Sequence, residues 1–240
     1  MVHFSGVDFG TIGFGLMGFS WRPEPMPTPD TITAIKTAFF NGAVFWNGVT
    51  FYGTATDNSL HLLNAYFAEY PEHANKVVIS IKGPPRGDKK SIQPTIEECL
   101  KVLDGKKHID IFQCARVDSK IPIEETMRVL AQHVKIGKTG GIGLSEQTAD
   151  VIRRANTVYK IACVEVESSL FALEITQNGV VETCAELDVR KPFPRIQPDN
   201  FEKNMKLVQE VEKIAQRKGC SISQIALAWV LHHDVLLNPR

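Results

Sequence analysis

The sequence lacks a surplus of either charge, because its 27 Lys and Arg residues are matched by 27 Asp and Glu residues. Balanced charge gives no reason to expect nucleic acid, an anionic membrane surface or an acidic partner as a ligand. The sequence also lacks a run of roughly 18 apolar residues and a basic segment leading into an apolar one. We therefore expect no membrane-spanning helix, no secretory signal and a cytoplasmic location.

Cysteine is scarce and scattered, and no two cysteines form a C-x-x-C pair. The odd set consists of Cys99, Cys114, Cys163, Cys184 and Cys220. We therefore expect neither a disulfide framework nor a zinc site, and we assign no other metal site. Apolar residues are plentiful at 43% of the 240 positions, enough to bury a sizeable core. We expect a single domain over residues 1–240.

Short apolar runs alternate with amphipathic segments through most of the sequence. The runs are rich in β-branched or aromatic residues, as is usual for strands buried on both faces. The predicted strands are Ala43–Asn47, Val77–Lys82, Ile109–Gln113, Gly141–Leu144 and Ala162–Val166. The predicted helices are Thr31–Asn41, Asp57–Tyr70, Ile123–Ile136, Ile175–Leu187, Phe201–Lys218 and Ser223–His232, with Asp57 and Thr148 as N-caps. Repeated strand–helix units predict a parallel sheet, either open or closed into a barrel.

The segment TIGFGLMGFSW contains a G-x-G-x-x-G spacing at Gly13, Gly15 and Gly18. In a dinucleotide-binding Rossmann unit this motif opens a helix, whose N-terminus binds the pyrophosphate. Here prolines occupy every second position from Pro23 to Pro29, which disfavours a helix directly after the glycines. We therefore predict a short first strand that ends in a glycine-rich loop, with the glycines allowing positive φ and close approach of another group.

The alternation stops after residue 187, where the next strand is due. The segment DVRKPFPRIQPDN contains Pro192, Pro194 and Pro198, and proline cannot donate to a central ladder. We predict a loop there, followed by the last two helices. The final residues, VLLNPR, could begin another strand.

Polar side chains lie at or just after the carboxyl ends of the predicted strands. Asn47 ends the second strand, Tyr52 lies in the loop that follows, and Lys82 ends the third strand. The other members of the set are Arg116, Asp118, Ser145, Glu146, Glu165 and Glu167. In a (β/α)₈ barrel these ends form one face, and that face carries the active site. A functional site is therefore predicted there.

These segments, taken in order, resemble the aldo-keto reductase superfamily and most closely its pyridoxal reductase branch. The matching pieces are IGFGLMGFSWRP, FWNGVTFYG, VVISIKG, IDIFQCARVD, IPIEETM, GIGLSE and EVESSLF, with a later helical match over Phe201–Leu231. The resemblance implies an α/β fold of the (β/α)₈ TIM-barrel type. It also implies an oxidoreductase that reduces an aldehyde or ketone with NADPH, bound without a Rossmann unit.

The resemblance further implies a role for each polar residue. Tyr52 matches the proton donor and Lys82 the lysine beside it, while Asn47 stands where most members have an aspartate paired with that lysine. Ser145 and Glu165 match positions that hold the nicotinamide carboxamide, and Glu146 replaces a commoner asparagine. We further expect Gly15 and Met17, together with Glu146, to contact the cofactor, and Trp21 and Arg116 to contact the substrate.

The chemistry of the residues agrees with these roles. Reducing a carbonyl group requires a hydride on carbon and a proton on oxygen. A free tyrosine has a pKa of about 10, and a nearby ammonium group lowers it by stabilising the phenolate. A Tyr–Lys pair is therefore a suitable general acid. Each residue also has a purely structural alternative: Tyr52 in packing, Lys82 as a solvated strand end, Asn47 in a turn with Gly48, Arg116 in an ion pair with Asp118, and Ser145–Glu146 as a helix cap.

Two parts of the family pattern are missing from the sequence. The segment after Leu187 is much shorter than the strand and pyrophosphate loop expected there, and the elements that bind the adenosine 2′-phosphate would lie beyond Arg240. We therefore expect an incomplete barrel that lacks about one strand and the last helix. Three interpretations stay open: a reductase of a pyridoxal-like or secondary-metabolite carbonyl, an impaired paralogue acting as a binding or regulatory subunit, and a chain whose missing strand a partner supplies. We expect a monomer or weak homodimer.

Overall fold

The computed structural model describes residues 2–84, 86–116, 118, 120–169, 174, 177–187 and 201–232. The strands of this part, in chain order, are β1 (Val2–Phe4), β2 (Val7–Phe9), β3 (Phe14–Gly15), β4 (Phe45–Val49), β5 (Val78–Gly83), β6 (Ile111–Cys114), β7 (Gly141–Ser145) and β8 (Ile161–Glu165). Its α-helices are α1 (Met17–Ser20), α2 (Thr28–Phe40), α3 (Ser59–Glu69), α4 (Lys89–Leu103), α5 (Ile123–Lys135), α6 (Ala149–Val158), α7 (Val180–Glu186), α8 (Phe201–Lys218) and α9 (Ile222–Leu231).

Strands β3 to β8 form one parallel sheet in which every strand pairs with the next along the chain. Helices separate the successive strands, so the sheet grows by strand–helix units in the sense of a (β/α)₈ barrel. Six strands of such a barrel lie in the described part of the chain. This arrangement confirms the predicted fold class, an incomplete (β/α)₈ barrel.

The interior face of the sheet has two layers. In the amino half, the first residues of β4, β5 and β6 (Phe45, Val78 and Ile111) pack with Val7 and Phe9 of β2. The β1–β2 hairpin, which the sequence reading missed, therefore covers the amino end of the sheet. Because side chains alternate between faces, the residues two positions further along each strand point to the same interior. Those residues are polar, and they occupy the carboxyl half.

The glycine-rich segment forms β3 and then a single helical turn, α1. The strand confirms the prediction. The expectation of no helix directly after the glycines is wrong, because the single turn of α1 begins at Met17. The helix ends before Pro23, where the prolines begin. The expected positive φ is also wrong: the described glycines with positive φ do not include Gly13, Gly15 or Gly18. A Cβ on Gly18 would meet no described atom, so the segment leaves open space at that point.

Several predicted boundaries move. Asn47 lies in the middle of β4 rather than at its end. The N-cap of α3 is Asn58, whose side chain accepts a hydrogen bond from Leu60 N, and not Asp57. Helix α7 begins at Val180, after Gly179 with a φ of 73°, and not at residue 175. Thr148 caps α6 as predicted, so Ser145 and Glu146 do not cap it.

Some expectations concern residues outside the described part. The predicted loop at 188–200 and the predicted strand start at VLLNPR both lie there. Within the described ranges, no helix is long and apolar enough to cross a membrane. Within the same ranges, no group of three or more His, Cys, Asp or Glu side chains could hold a metal ion.

Candidate active site

A buried polar cluster fills the carboxyl half of the sheet interior. Glu165, the last residue of β8, lies at its centre and forms an ion pair with Lys82 of β5 through Oε1. Glu165 Oε2 accepts hydrogen bonds from Asn47 Nδ2 at 2.8 Å and from Gln113 Nε2 at 3.1 Å. Gln113 Nε2 also donates to Ser80 Oγ at 3.0 Å. We call these five residues the carboxylate cluster.

The strand register assembles this cluster from distant parts of the sequence. Asn47 of β4 pairs with Ser80 of β5, and Lys82 pairs with Gln113 of β6. Each of these residues is an even number of positions from an apolar residue of the amino layer, which places it on the interior face. The sequence reading missed Gln113 as a site residue, although its two-residue spacing from Ile111 in IFQ was the available signal.

The cluster lies almost entirely out of water. Glu165 is 2% exposed and Lys82 is 4% exposed. Burying a carboxylate and an ammonium group costs several kcal/mol each, and this is recovered only with good pairing and further hydrogen bonds. Asn47 and Gln113 supply those hydrogen bonds to the second oxygen of Glu165. Buried charges of this kind occur both in functional sites and in structural ion pairs, so the cluster is a candidate functional site.

Cys163 lies on the same face, two residues before Glu165. Burial and then the negative charge of Glu165 raise the pKa of the Cys163 thiol to about 12. The thiol therefore stays neutral at physiological pH and is not a nucleophile. The charged pair of the cluster is Lys82 with Glu165.

Tyr52 lies in the loop that follows β4, as predicted. The loop leaves the sheet beside Lys82, because Thr50 N donates to Lys82 O at 3.0 Å. Ser20 Oγ donates to Tyr52 O at 2.7 Å and fixes the backbone at that point. Gly53 has a φ of 117°, and a Cβ there would overlap Asp57 O, so the turn after Tyr52 requires glycine. The tyrosine is thus held in a defined place at the carboxyl end.

An aromatic surface adjoins Tyr52. The Trp21 ring stacks on the Tyr52 ring with centroids 4.8 Å apart and an interplanar angle of 27°. Phe51 meets Tyr52 edge-on at 5.5 Å. Tyr52 is only 5% exposed, whereas Trp21 is 50% and Phe51 is 44% exposed. The exposed Trp21 and Phe51 rings offer apolar aromatic surface next to the buried tyrosine.

The residues assigned to the first strand lie on the other side of Asn47. Gly15 pairs with Asn47 in the β3–β4 ladder, and Leu16 N donates to Asn47 O at 2.9 Å. Met17 is half-buried at the start of α1. The structure therefore brings Gly15 next to the cluster and leaves Met17 at its border.

Ser145 and Arg116 meet at the carboxyl ends of β6 and β7. Ser145 is the last residue of β7, is 2% exposed, and pairs with Glu165 in the β7–β8 ladder. Arg116 Nη1 donates to Ala115 O at 2.9 Å and to Ser145 Oγ at 3.5 Å. Asp118 Oδ1 accepts from Lys120 N at 2.9 Å. The guanidinium group thus faces the sheet end.

Glu146 has strained backbone. Its φ of 55° lies in the left-handed region, which a glutamate seldom occupies. Glu146 N donates to Glu165 O at 2.6 Å, which anchors this conformation to β8. Such strain costs about 1–3 kcal/mol and is concentrated at functional sites. Ser5 and Asp104 share the positive φ, but Glu146 is the one of the three that lines the cavity at the end of β7.

A cavity of about 450 Å³ opens at the ends of β7 and β8. Its lining residues are Glu146, Gln147, Thr148, Val166, Glu167, Glu174, Asn178 and Val180. Three of these are carboxylates, and no lysine or arginine is among the described lining residues. The cavity can therefore accept hydrogen bonds from amide or hydroxyl groups, whereas a phosphate would be repelled.

The fold is thus a strand–helix barrel with polar, partly charged residues at the carboxyl ends of its strands. The family model described as the aldo/keto reductase family matches residues 11–191. The chain belongs to the aldo/keto reductase family.

Individual relatives agree with this assignment. A probable pyridoxal reductase 2 of Schizosaccharomyces pombe is 36% identical, over 95% of this chain and 80% of the relative. A putative pyridoxal reductase of Saccharomyces cerevisiae is 32% identical, over 92% of this chain and 78% of the relative. Among solved structures, an aldo-keto reductase from Klebsiella pneumoniae in complex with NADPH is 19% identical with a TM-score of 0.78, over 97% of this chain and 81% of that one. The resemblance to the aldo-keto reductase superfamily and its pyridoxal reductase branch is confirmed.

Proposed function

We propose that this protein is an NADPH-dependent oxidoreductase that reduces an aldehyde or ketone to an alcohol. The observation that carries this proposal is the buried Lys82–Glu165 ion pair beside the anchored loop of Tyr52. Family membership supports it, because the chain matches the aldo/keto reductase family over residues 11–191. The solved Klebsiella pneumoniae relative binds NADPH, which supports the choice of cofactor.

The described residues suit the nicotinamide end of this cofactor. A carboxamide has two N–H donors and one acceptor. The Ser145 hydroxyl and the Glu146 carboxylate stand at the end of β7, and Glu146 lines the cavity. These groups can accept the amide hydrogens, with Gly15 and Met17 bordering the site on the β3 side. Because the cavity lining is acidic, the diphosphate of the cofactor would lie outside the cavity. The residues that contact the diphosphate would therefore be others than the cavity lining.

The residues of the chain would supply the proton and the electrostatic setting. Bound NADPH supplies a hydride to the carbonyl carbon. The Tyr52 hydroxyl gives its proton to the carbonyl oxygen, so its O–H bond breaks as the alcohol O–H bond forms. The Lys82 ammonium group would stabilise the phenolate left on Tyr52, Glu165 pairs with Lys82, and Asn47 holds Glu165. General acid catalysis of this kind contributes roughly 10²–10⁴-fold to a rate.

The aromatic surface favours a planar substrate. Trp21 is 50% exposed beside the buried Tyr52, so its free edge and face offer an aromatic contact to a planar substrate that approaches the tyrosine. Arg116 at the end of β6 could contact an anionic or polar substituent. Pyridoxal combines a planar ring with an aldehyde, and two relatives are named as probable or putative pyridoxal reductases. We therefore infer a pyridoxal-like aldehyde as the first substrate to test.

Cofactor binding tests the proposed function directly. The pure protein is titrated with NADPH while nicotinamide fluorescence is followed, and NADPH oxidation is then measured with pyridoxal and a panel of aromatic aldehydes and ketones. We expect saturable binding and turnover of at least one planar aldehyde. No saturable change up to millimolar NADPH would contradict the proposal.

The acidic cavity also gives weight to a second candidate. The carboxylates of Glu146, Glu167 and Glu174 in the cavity would repel an anionic cofactor. A protein that does not bind NADPH could serve as a binding or regulatory subunit without turnover. The same titration separates the two functions. Binding of a neutral nicotinamide or pyridine compound without binding of NADPH would favour the second candidate.

A further inference from the structure

The interior of the sheet contains a carboxylate and an amide that touch each other next to one lysine. Glu165 Oε2 lies 2.8 Å from Asn47 Nδ2, while Glu165 Oε1 pairs with Lys82. The side chains of Lys82 and Glu165 are only 5% and 2% exposed, so water cannot replace this pairing. The state of the buried ammonium group therefore depends on the negative charge of Glu165.

We propose that Glu165 is a positioning residue that acts through Lys82, keeping it a protonated ammonium group for Tyr52, while Asn47 holds the carboxylate. The inference rests on the proposed carbonyl reductase function. The family resemblance implied an acidic partner for the lysine at position 47 and a cofactor contact for Glu165. In this chain the negative charge at the lysine comes instead from Glu165 of β8, which also contacts Asn47 of β4.

The proposal predicts that the charge can be exchanged between the two positions. Asn and Asp have the same shape, as do Glu and Gln, so moving the charge leaves the packing unchanged. The double variant Asn47→Asp/Glu165→Gln keeps one carboxylate in the cluster, at the position that contacts residue 165, the partner of Lys82. Glu165→Gln alone keeps none, and Asn47→Asp alone puts two carboxylates in contact, which is unfavourable. If Glu165 served only in packing, the effects of these variants would not depend on which residue carries the carboxylate.

Most of the side chains that face the Lys82–Glu165 pair do not change protonation state in the pH range of the experiment. Cys163 has a pKa raised to about 12 and stays neutral over the useful range. Asn47, Ser80 and Gln113 face the pair from β4, β5 and β6 and do not titrate. Charged residues of the adjoining loops and strand end include Asp57, Arg116, Asp118, Glu146 and Glu167. In the proposal, the alkaline limb of the rate profile reports the Tyr52–Lys82 pair, and the variants below test that assignment.

The pH–rate profile is the functional readout. The alkaline limb of kcat/KM is measured with NADPH and a reducible aldehyde for the wild type, Glu165→Gln, and Asn47→Asp/Glu165→Gln. Without the Glu165 carboxylate, the Tyr52–Lys82 pair loses its first proton more easily. We therefore expect the apparent pKa of the alkaline limb to be about 1 pH unit or more lower in Glu165→Gln than in the wild type. The double variant should return towards the wild-type limb. An unmoved limb in Glu165→Gln, or no return in the double variant, would overturn the proposal.

Asp110→Asn is the matched control. Asp110 is a buried carboxylate that pairs with Lys107 at 2.6 Å, just before β6 at the opposite end of the sheet. Its loss should destabilise the protein without moving the alkaline limb. A limb shift of the same size in Asp110→Asn would make the effect of Glu165→Gln a general result of destabilisation and would overturn the proposal.

Thermal unfolding without cofactor gives a second readout that does not depend on turnover. Leaving Lys82 buried without its carboxylate should lower Tm by roughly 5–15 °C in Glu165→Gln. The double variant should recover at least half of that loss, because the charge is restored. If the Tm loss of the double variant equals the sum of the losses of Asn47→Asp and Glu165→Gln, the proposal that the charge can be exchanged between the two positions is overturned. A wild type that reduces no carbonyl would refute the proposed function alone, and the unfolding cycle would still decide the exchange.

Discussion

Two of the described ion pairs have both side chains buried, and they lie at opposite ends of the sheet. Lys107 and Asp110 pair at the amino end and are three positions apart in the sequence. Lys82 and Glu165 pair at the carboxyl end and are 83 positions apart. Burial is alike, with side-chain exposures of 5% and 6% in the first pair and 5% and 2% in the second.

The neighbours of the two carboxylates differ. Asp110 Oδ2 also accepts from the backbone Ile79 N at 2.8 Å, so this carboxylate fastens one strand to the next. Glu165 is instead held by the side chains of Asn47 and Gln113, close to the loop of Tyr52. The same chemistry therefore holds the fold together at one end and, in our proposal, supports proton transfer at the other. Burial of an ion pair alone does not distinguish these roles.

The largest expected effect separates the two lysines. Lys82→Met should lower kcat/KM for the aldehyde by about 10²–10⁴-fold, because the phenolate of Tyr52 would lose its stabilising ammonium group. Lys107→Met should keep the wild-type kcat/KM per folded molecule. Steady-state kinetics on both variants, with circular dichroism to measure the folded fraction, makes the comparison. Equal losses would remove the distinction between the two ends.

The next effect concerns stability at the amino end. Asp110→Asn leaves the buried Lys107 ammonium without its charge partner, while the amide oxygen can still accept from Ile79 N. Breaking a buried pair in this way should cost about 3–5 kcal/mol of unfolding free energy. Denaturant unfolding measures the loss. A destabilisation below about 1 kcal/mol would show that the amino-end pair does not hold the sheet together.

A smaller effect is expected from backbone strain. Glu146 at the carboxyl end and Asp104 after α4 both have positive φ, 55° and 52°. Asn tolerates this region better than Glu, and about as well as Asp, so Glu146→Asn should stabilise the protein by about 1 kcal/mol and Asp104→Asn by little. Chemical denaturation of both variants tests this difference. Destabilisation by Glu146→Asn would mean that its carboxylate matters more than the strain.

The sequence predicted the layout of the fold more fully than the contacts within it. The apolar runs predicted β4 to β8, and the prolines after Gly18 predicted the break before α2. The β1–β2 hairpin escaped because its strands have three residues each, too short for a periodic pattern. Its two-residue turn, Ser5 and Gly6, has positive φ at both positions, and that glycine was the only local signal.

The individual site residues were predictable, but their pairing was not. Asn47, Lys82 and Glu165 could each be assigned to a strand from the sequence. That Glu165 meets Lys82 depends on how β8 faces β5 across the curved interior, which no local pattern encodes. Gln113 was missed because its polar side chain follows an apolar run and matched no catalytic role. Long-range side-chain contacts are set by register and sheet curvature together.

The smallest expected effect lies on the helices outside the sheet. Two hydrogen bonds from Arg154 of α6, at 2.8 and 2.9 Å, lower the pKa of Glu124 of α5 from 4.5 to about 2. A depressed pKa contributes stability above pH 4.5 that is lost as the pH falls towards 2. Arg154→Gln should therefore show a shallower loss of Tm over this range than the wild type. An equally steep loss would show that this pair does not contribute.

The most direct test of the carboxyl end as the catalytic end is Tyr52→Phe, because it removes the proton donor and leaves the ring. The NADPH dissociation constant and the rate of aldehyde reduction are measured on the same preparation. We predict unchanged NADPH binding and a rate lowered by about 10²–10⁴-fold. Aldehyde reduction at the wild-type rate in Tyr52→Phe would contradict the assignment.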